Sequence, residues 1–193
     1  MYFTSHTFFR TLVGFAAGVA LSANVQAAPY QVVQLDKSKI GFSYKQMGVG
    51  MDGHFAKFSV QLSFDPAKPE QTKATIEIDL ASIDAGSDEA DQEVAGKSWF
   101  HTSAFPKAVF VANQVKQSAP NQYEVLGTLT IKGRARDVKF NLKHSPQGPV
   151  GVLTGSFNLQ RADYAIGEGM WSKFDVVAND IQVSFHLTAL TGK

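Results

Sequence analysis

Residues 180–189, DIQVSFHLTA, alternate without a break: Ile181, Val183, Phe185 and Leu187 fall on one side, Gln182, Ser184, His186 and Thr188 on the other. A period of two marks a half-buried β-strand, because successive side chains of an extended chain point to opposite faces. A sheet with one apolar face buries it against its own side chains, against lipid outside, or around a guest molecule inside. Which of the three applies decides what the protein does.

The same rhythm runs through most of the chain. YQVVQL reads as a short first strand, and KIGFSYKQ places Ile40, Phe42 and Tyr44 on one side. AKFSVQLSF gathers Ala56, Phe58, Val60, Leu62 and Phe64 opposite Lys57, Ser59, Gln61 and Ser63, and KATIEIDLASI repeats the pattern with Ala74, Ile76, Ile78 and Leu80. AVFVANQV, YEVLGTLTI, RDVKFNLKH, GVLTGSFNLQ and the closing NDIQVSFHLTAL bring the candidates to nine, about eight of them expected as full strands. The connections MGVGMDG, DPAKPEQ, KQSAPNQ, KGRA and SPQGPVG are rich in Gly, Pro, Asn and Asp, which favours tight reversals. Short links join antiparallel neighbours, since parallel ones need a crossover of about a dozen residues. The one different segment, SDEADQEVAGKSWF, predicts a short helix capped by Ser87 or Asp88 that covers one end of the sheet.

About eight antiparallel strands with one apolar face each make a sandwich or a barrel, and periodicity does not separate the two. Strands of eight or more residues and the phenylalanines favour a barrel. Such a barrel is just wide enough to be filled by its own side chains or to hold one slender ligand. Lipid outside is disfavoured: the polar face carries Lys57, Glu77, Asp79, Lys139 and Lys143, and each charge on a lipid face costs about 2–4 kcal/mol at the midplane.

The first 27 residues stand apart from this pattern. Arg10, the apolar run TLVGFAAGVALSA, and Val25 and Ala27 at the positions that accept compact side chains predict a secretory signal peptide over 1–27, cleaved after Ala27. The run is shorter than the roughly 20 residues a spanning helix needs, so no stable membrane span is expected after cleavage. Residues 28–193 are then one exported, periplasmic domain. The leader holds one of the 18 basic residues and none of the 17 acidic ones, which leaves the remainder at about zero net charge. Eleven of the 15 phenylalanines remain after it is removed. Without a basic run there is no footing for nucleic acid. There are no cysteines, so disulfides, thiolate nucleophiles and Cys-ligated metals are excluded.

Five pieces in order carry a resemblance that spans the sequence after the leader. They are LDKSKIGFSY with Asp36, Ser38 and Phe42; GHFAKFSVQLSFDP with Gly53, Phe55, Phe64 and Asp65; and SWFHTSAFPKAVF with Trp99, Phe100, Phe105, Pro106 and Phe110. GTLTIKGRARDV adds Gly127, Leu129, Thr130, Ile131 and Gly133, and LQRADYAIG adds Arg161, Asp163, Tyr164 and Gly167. Together they resemble the YceI-like family of lipocalin-like, polyisoprenoid-binding bacterial proteins. The resemblance implies an all-β fold, an elongated eight-stranded antiparallel lipocalin-like barrel. It also implies a homodimer with no catalytic residues and no covalent cofactor, whose interior holds a long-chain isoprenoid or similar lipid such as an isoprenoid quinone. The chain departs from the family pattern where Lys37-Ser38 and EADQEVAGKSWF replace the usual histidine and Arg-Asp neighbourhoods, so no role is carried over there.

Burying a methylene-sized unit is worth about 0.8 kcal/mol, so a tail of roughly 30–40 carbons offers more gross transfer energy than the ceiling of about 18–21 kcal/mol on non-covalent affinity. Apolar walls then accept several tails, and selectivity falls to polar groups at the mouth. The expected ligand-binding set is Phe42, Tyr44, Phe58, Phe64, Trp99, Phe110, Phe140 and Phe185. Aromatic residues at strand spacing are ordinarily core filler; the resemblance is what makes them lining. Trp99, Phe100, Met170 and Trp171 lie in irregular stretches and form either a lid or a plug.

Arg161 and Asp163, two apart, point the same way if extended, and are read as a local pair or as a turn anchor. Asp84, Asp88, Glu89, Asp91 and Glu93 lack the spacing of a calcium loop and suit a solvated helix face. His54, His101, His144 and His186 are scattered, with no zinc motif, and His186 sits on the polar face of its strand. A binding protein is therefore expected, with neither metal nor catalytic site. The two alternatives are a solid-core interaction module and an enzyme acting on a lipid-like substrate.

Overall fold

The structure, a computed structural model, describes Met1 and residues 28–192; the leader expected over 1–27 lies outside the described residues. Eleven strand segments form one antiparallel sheet. They are β1 (Tyr30–Val33), β2 (Lys39–Gln46), β3 (Val49–Phe55), β4 (Phe58–Ser63), β5 (Lys73–Asp79), β6 (Ile83–Asp84), β7 (Lys107–Ala119), β8 (Gln122–Ile131), β9 (Arg134–Gln147), β10 (Val150–Gln160) and β11 (Asp180–Thr191).

Their registers reduce the eleven segments to eight strand positions. β1 and β2 both run against β11, β1 along its last residues and β2 along its first half. β3 pairs with β2 and β6, while β4, which follows β3 after two residues, pairs with β5. Tyr30 and Phe64 then bridge β1 to the end of β4. The first three positions are thus broken in the middle, at residues 34–38, 56–57 and 80–82, and the sheet curls back on itself as a barrel of neighbours in chain order. The breaks in the second and third positions stitch together: Ala56 N–H donates to the Ser82 carbonyl (2.9 Å) and Lys57 N–H to Ser82 Oγ (2.9 Å). Expecting about eight strands was sound, with the three interruptions as the difference.

The turns are tighter than their composition indicated. MGVGMDG is not a connection but mostly β3, with only Met47-Gly48 reversing the chain. Both turn residues have positive φ (51° and 81°), as do Lys132 and Gly133 (50° and 73°), the geometry that matches the twist of two-residue hairpins. KQSAPNQ likewise shrinks to Pro120-Asn121, and SPQGPVG to Gly148-Pro149, so β7, β9 and β10 run longer than their apolar cores.

The helix α1 (Asp88–Ala95) forms where expected, with Ser87 Oγ accepting from Ala90 N–H at 3.2 Å as its N-cap. Asp91 ties its first turn to the sheet by accepting from Ala85 N–H at 2.6 Å. No helix among the described residues is long and apolar enough to cross a membrane.

Two apolar clusters occupy the two ends of the interior. One joins Tyr30, Phe64, Tyr123, Val125, Leu142 and Leu187; the other joins Leu80, Trp99, Leu129, Ile131, Tyr164 and Val177.

Candidate functional site

Between these clusters the barrel is hollow. A cavity of about 550 Å³ runs through it, within the roughly 300–1,000 Å³ range of small-molecule sites. The inward side of β11, Ile181, Val183, Phe185 and Leu187, borders it throughout. Phe110, Phe140, Phe157 and Phe185 point inward yet are only half-buried, because part of each ring faces the cavity. Phe140 stands at the centre of this group, with ring centroids 5.6 Å from Phe110, 5.5 Å from Phe157 and 5.4 Å from Phe185. A self-filled interior is therefore not what the sequence folds into.

The rings reach this density because glycines make room for them. Gly53 faces Phe42 across β2 and β3, and Gly155 faces Phe185 across β10 and β11. A Cβ at Gly155 would sit 2.5 Å from the Phe185 ring and 2.8 Å from the Asn141 carbonyl, and one at Gly53 would overlap the Phe42 ring. The far end of each ring sits over bare backbone on the neighbouring strand.

Seven of the eight residues expected in the site, Phe42, Tyr44, Phe64, Trp99, Phe110, Phe140 and Phe185, border the cavity. Phe58 does not. Its phase is inward, but it packs against the cluster around Tyr30 and Phe64 and leaves the wall to Leu62 and Ile78. The wall also takes in Phe55, Phe157, Met51 and Leu129. Phe157 follows from the alternation of β10, whereas Met51 was hidden inside the segment read as a turn and Phe55, just after it, was marked only by the resemblance. Of the irregular residues, Trp99, Phe100 and Trp171 line the cavity, while Met170 faces outward at 84% exposure.

Polar lining residues gather at one end. Gln46 comes from β2, Ser87, Glu89 and Glu93 from the start and inner side of α1, and Arg161 from the segment after β10; Thr72 is the exception. This end is the mouth, and α1 lies over it.

Arg161 organises the mouth. It is 1% exposed, and its guanidinium donates to six backbone carbonyls: Ala178, Ile166, Gly167, Trp171, Lys173 and Val177, at 2.7–3.3 Å. Burial pulls its pKa below the ordinary value. The carbonyl shell keeps the charge solvated where water is excluded. The residues 161–164 form a short 3-10 turn rather than a strand, so Arg161 turns inward while Asp163 stays exposed, and the pair expected from the two-residue spacing does not form. The guanidinium also lies 5.4 Å from the Trp99 ring and 5.1 Å from that of Phe174. Lys132 pins the same loop from outside, donating to the carbonyls of Lys97 and Ala165 and to Glu168 Oε2 (2.9 Å). That hydrogen bond is the main reason Glu168 is held below the usual carboxylate range.

The four histidines among the described residues stand outside the cavity wall. His54 lies 3.6 Å from Asp84 on the surface, and His186 is exposed as its strand phase indicated. His144 is 3% exposed beneath the far cluster, with ring centroids 5.1 Å from Tyr30 and 5.5 Å from Phe64. Neither of its ring nitrogens has a hydrogen-bond partner, and burial lowers its pKa.

An up-and-down antiparallel barrel with an apolar lumen and a polar, helix-covered mouth defines a lipocalin-like fold. The model of the family described as YceI-like domain matches residues 30–189, most of the chain. The chain belongs to the YceI-like family. It is 29% identical over 167 residues to a UPF0312 protein of Yersinia pestis, covering 81% of this chain and 86% of that protein. The crystal structure of Burkholderia cenocepacia BcnA superposes with a TM-score of 0.79 at 39% identity, over 81% of this chain and 99% of that one. A polyisoprenoid binding domain from Saccharophagus degradans shares the fold, with a TM-score of 0.65 at 17% identity, over 86% of this chain and 99% of that one.

Proposed function

We propose that the protein binds and carries a long-chain isoprenoid, or a similar amphiphilic lipid such as an isoprenoid quinone, in the periplasm. The observation that carries this reading is the hollow of about 550 Å³ walled by half-buried phenylalanines. Empty apolar space of this size forfeits dispersion contacts, which a hydrocarbon guest restores. The tail lies among Phe42, Phe110, Phe140, Phe157 and Phe185, and the head group stays at the mouth with Gln46, Glu89 and Glu93. A relative by fold is described as a polyisoprenoid binding domain, which agrees with that cargo. Nothing in the wall fixes a tail by directed hydrogen bonds, so tails of several lengths are accepted. Export by the leader over 1–27 and pairing into a homodimer belong to the same reading.

Filling the cavity tests it. Ala112 borders the hollow and is only partly buried, so Ala112→Phe places a ring where the tail is expected. Titration with a prenol is expected to show at least tenfold weaker binding for the variant, with an unchanged or raised melting temperature. Equal binding by the two proteins would contradict the reading.

A further inference from the structure

Eight large apolar side chains stay exposed between residues 28 and 192, and five of them lie in two short segments. Met47 and Val49 stand at the tip of the β2–β3 hairpin, and Met170, Phe174 and Val176 in the loop before β11. The two segments touch. Met47 N–H donates to the Val176 carbonyl at 2.7 Å, and one step inward Gln46 pairs with Val177. Gln46, Val177 and Trp171 all border the cavity, so Met47, Val176 and Met170 each follow or precede a lining residue by one position. The exposed apolar groups therefore form a rim continuous with the wall of the hollow.

We propose that this rim docks the barrel on a lipid surface. Met47, Val49, Met170 and Val176 enter the boundary between head groups and acyl chains, and the mouth opens against the leaflet. The inference rests on the reading of the cavity as a lipid site: cargo that partitions into bilayers reaches the hollow without crossing water. A hairpin tip usually carries polar turn residues, and a cluster of exposed apolar groups marks an interaction surface.

Charge selects the occupant. Lys45 and Lys173 are exposed beside the rim, where their stems can lie along the apolar boundary while the ammonium groups reach lipid phosphates. Of the carboxylates near the rim, Asp175 accepts from Val176 N–H at 3.1 Å, Glu168 from Lys132 Nζ at 2.9 Å and Glu93 from Trp171 Nε1 at 2.7 Å, while Glu89 stays exposed at the mouth. Interfacial binding of this kind grows with buried apolar area and with attraction to lipid phosphates.

Flotation with vesicles of phosphatidylethanolamine and phosphatidylglycerol tests the inference on protein purified as the cell produces it. The wild-type chain is compared with the triple variant Met47→Ser, Val49→Ser, Val176→Ser, and with Val32→Ser. Val32 is also exposed, at 55% against 38–76% for the three rim residues, but lies on β1, beside the Tyr30–Phe64 bridge at the far end. Wild type and Val32→Ser are expected to float alike and the triple variant to bind at least tenfold more weakly, with all three melting together. Equal flotation of the triple variant overturns the inference. So does binding only to bacterial membranes that protease treatment abolishes, which assigns the rim to a membrane protein. A triple variant that loses dimers in sedimentation but still floats assigns it to a second copy. Bound cargo is read by native mass spectrometry on the same samples. A loaded chain that does not float sinks the rim alone, whereas an empty chain that floats sinks the cavity reading and leaves the rim standing.

Discussion

Trp171 Nε1 donates to Glu93 Oε1 at 2.7 Å, joining the loop before β11 to α1 across the mouth of the cavity. It is a side-chain bond between a loop and a helix 78 positions apart in the chain. Both partners also line the hollow, so a guest entering or leaving passes beside it.

Trp171→Phe keeps the ring and removes the donor. A single hydrogen bond contributes about 0.5–1.5 kcal/mol, so release of a bound prenol is expected to quicken by about 2- to 10-fold. Melting temperature is expected to change little, because Trp171 is not part of the buried core. Stopped-flow release into acceptor vesicles measures the rate.

Arg161 holds six carbonyls that lie between residues 166 and 178. Arg161→Met leaves those acceptors without a donor in a place water does not reach, and hydrogen bonds to a charged group are the strong ones. A loss of about 3 kcal/mol or more is expected, which for a domain of this size lowers the melting temperature by roughly 6–12 °C. Arg161→Lys is expected to recover only part of it, since an ammonium has three donors and no planar fork. Calorimetry on the two variants checks both statements.

His144 makes stability depend on pH. Burial keeps its pKa below the ordinary 6.5, so the folded chain resists protonation there while the unfolded chain accepts it. As pH falls through about 6.5 the unfolded state binds more protons, and stability that is fully present above that value declines. His144→Phe keeps an aromatic ring against Tyr30 and Phe64 and removes the titration. The difference in melting temperature between wild type and variant is expected to widen, in the variant's favour, from pH 8 to pH 5. A constant difference would contradict this.

Gly155 leaves the space that the Phe185 ring fills. Gly155→Ala forces that ring off its place toward Phe140, at an expected cost of about 1–3 kcal/mol from overpacking. Prenol binding is expected to weaken with it, because the displaced ring narrows the hollow. Equilibrium unfolding and ligand titration measure the two effects separately.

How far these features were legible in the sequence differs from residue to residue. The inward faces of β4, β5 and β11 follow from alternation alone, since a period of two fixes the face without knowledge of the partner strand. Gly50 and Gly53 concealed β3: in sequence they signal a turn, whereas in the fold Gly53 is bare so that Phe42 can lie across it. Phe58 had the right phase yet does not reach the wall, although its register partner Ile78 does; periodicity gives a side chain's face and not what its ring packs against. Arg161 was legible as a turn anchor but not as the hub of six carbonyls. Its partners are backbone carbonyls, and no residue type announces a carbonyl.

The central claim is that the folded barrel encloses a dry hollow that a hydrocarbon chain occupies. Native mass spectrometry of protein released gently from the cells that express it measures this most directly. A mass excess that organic extraction removes, and that identifies as an isoprenoid or related amphiphile, is the predicted result. Repeated spectra of the bare polypeptide, from preparations that never met detergent, would contradict it.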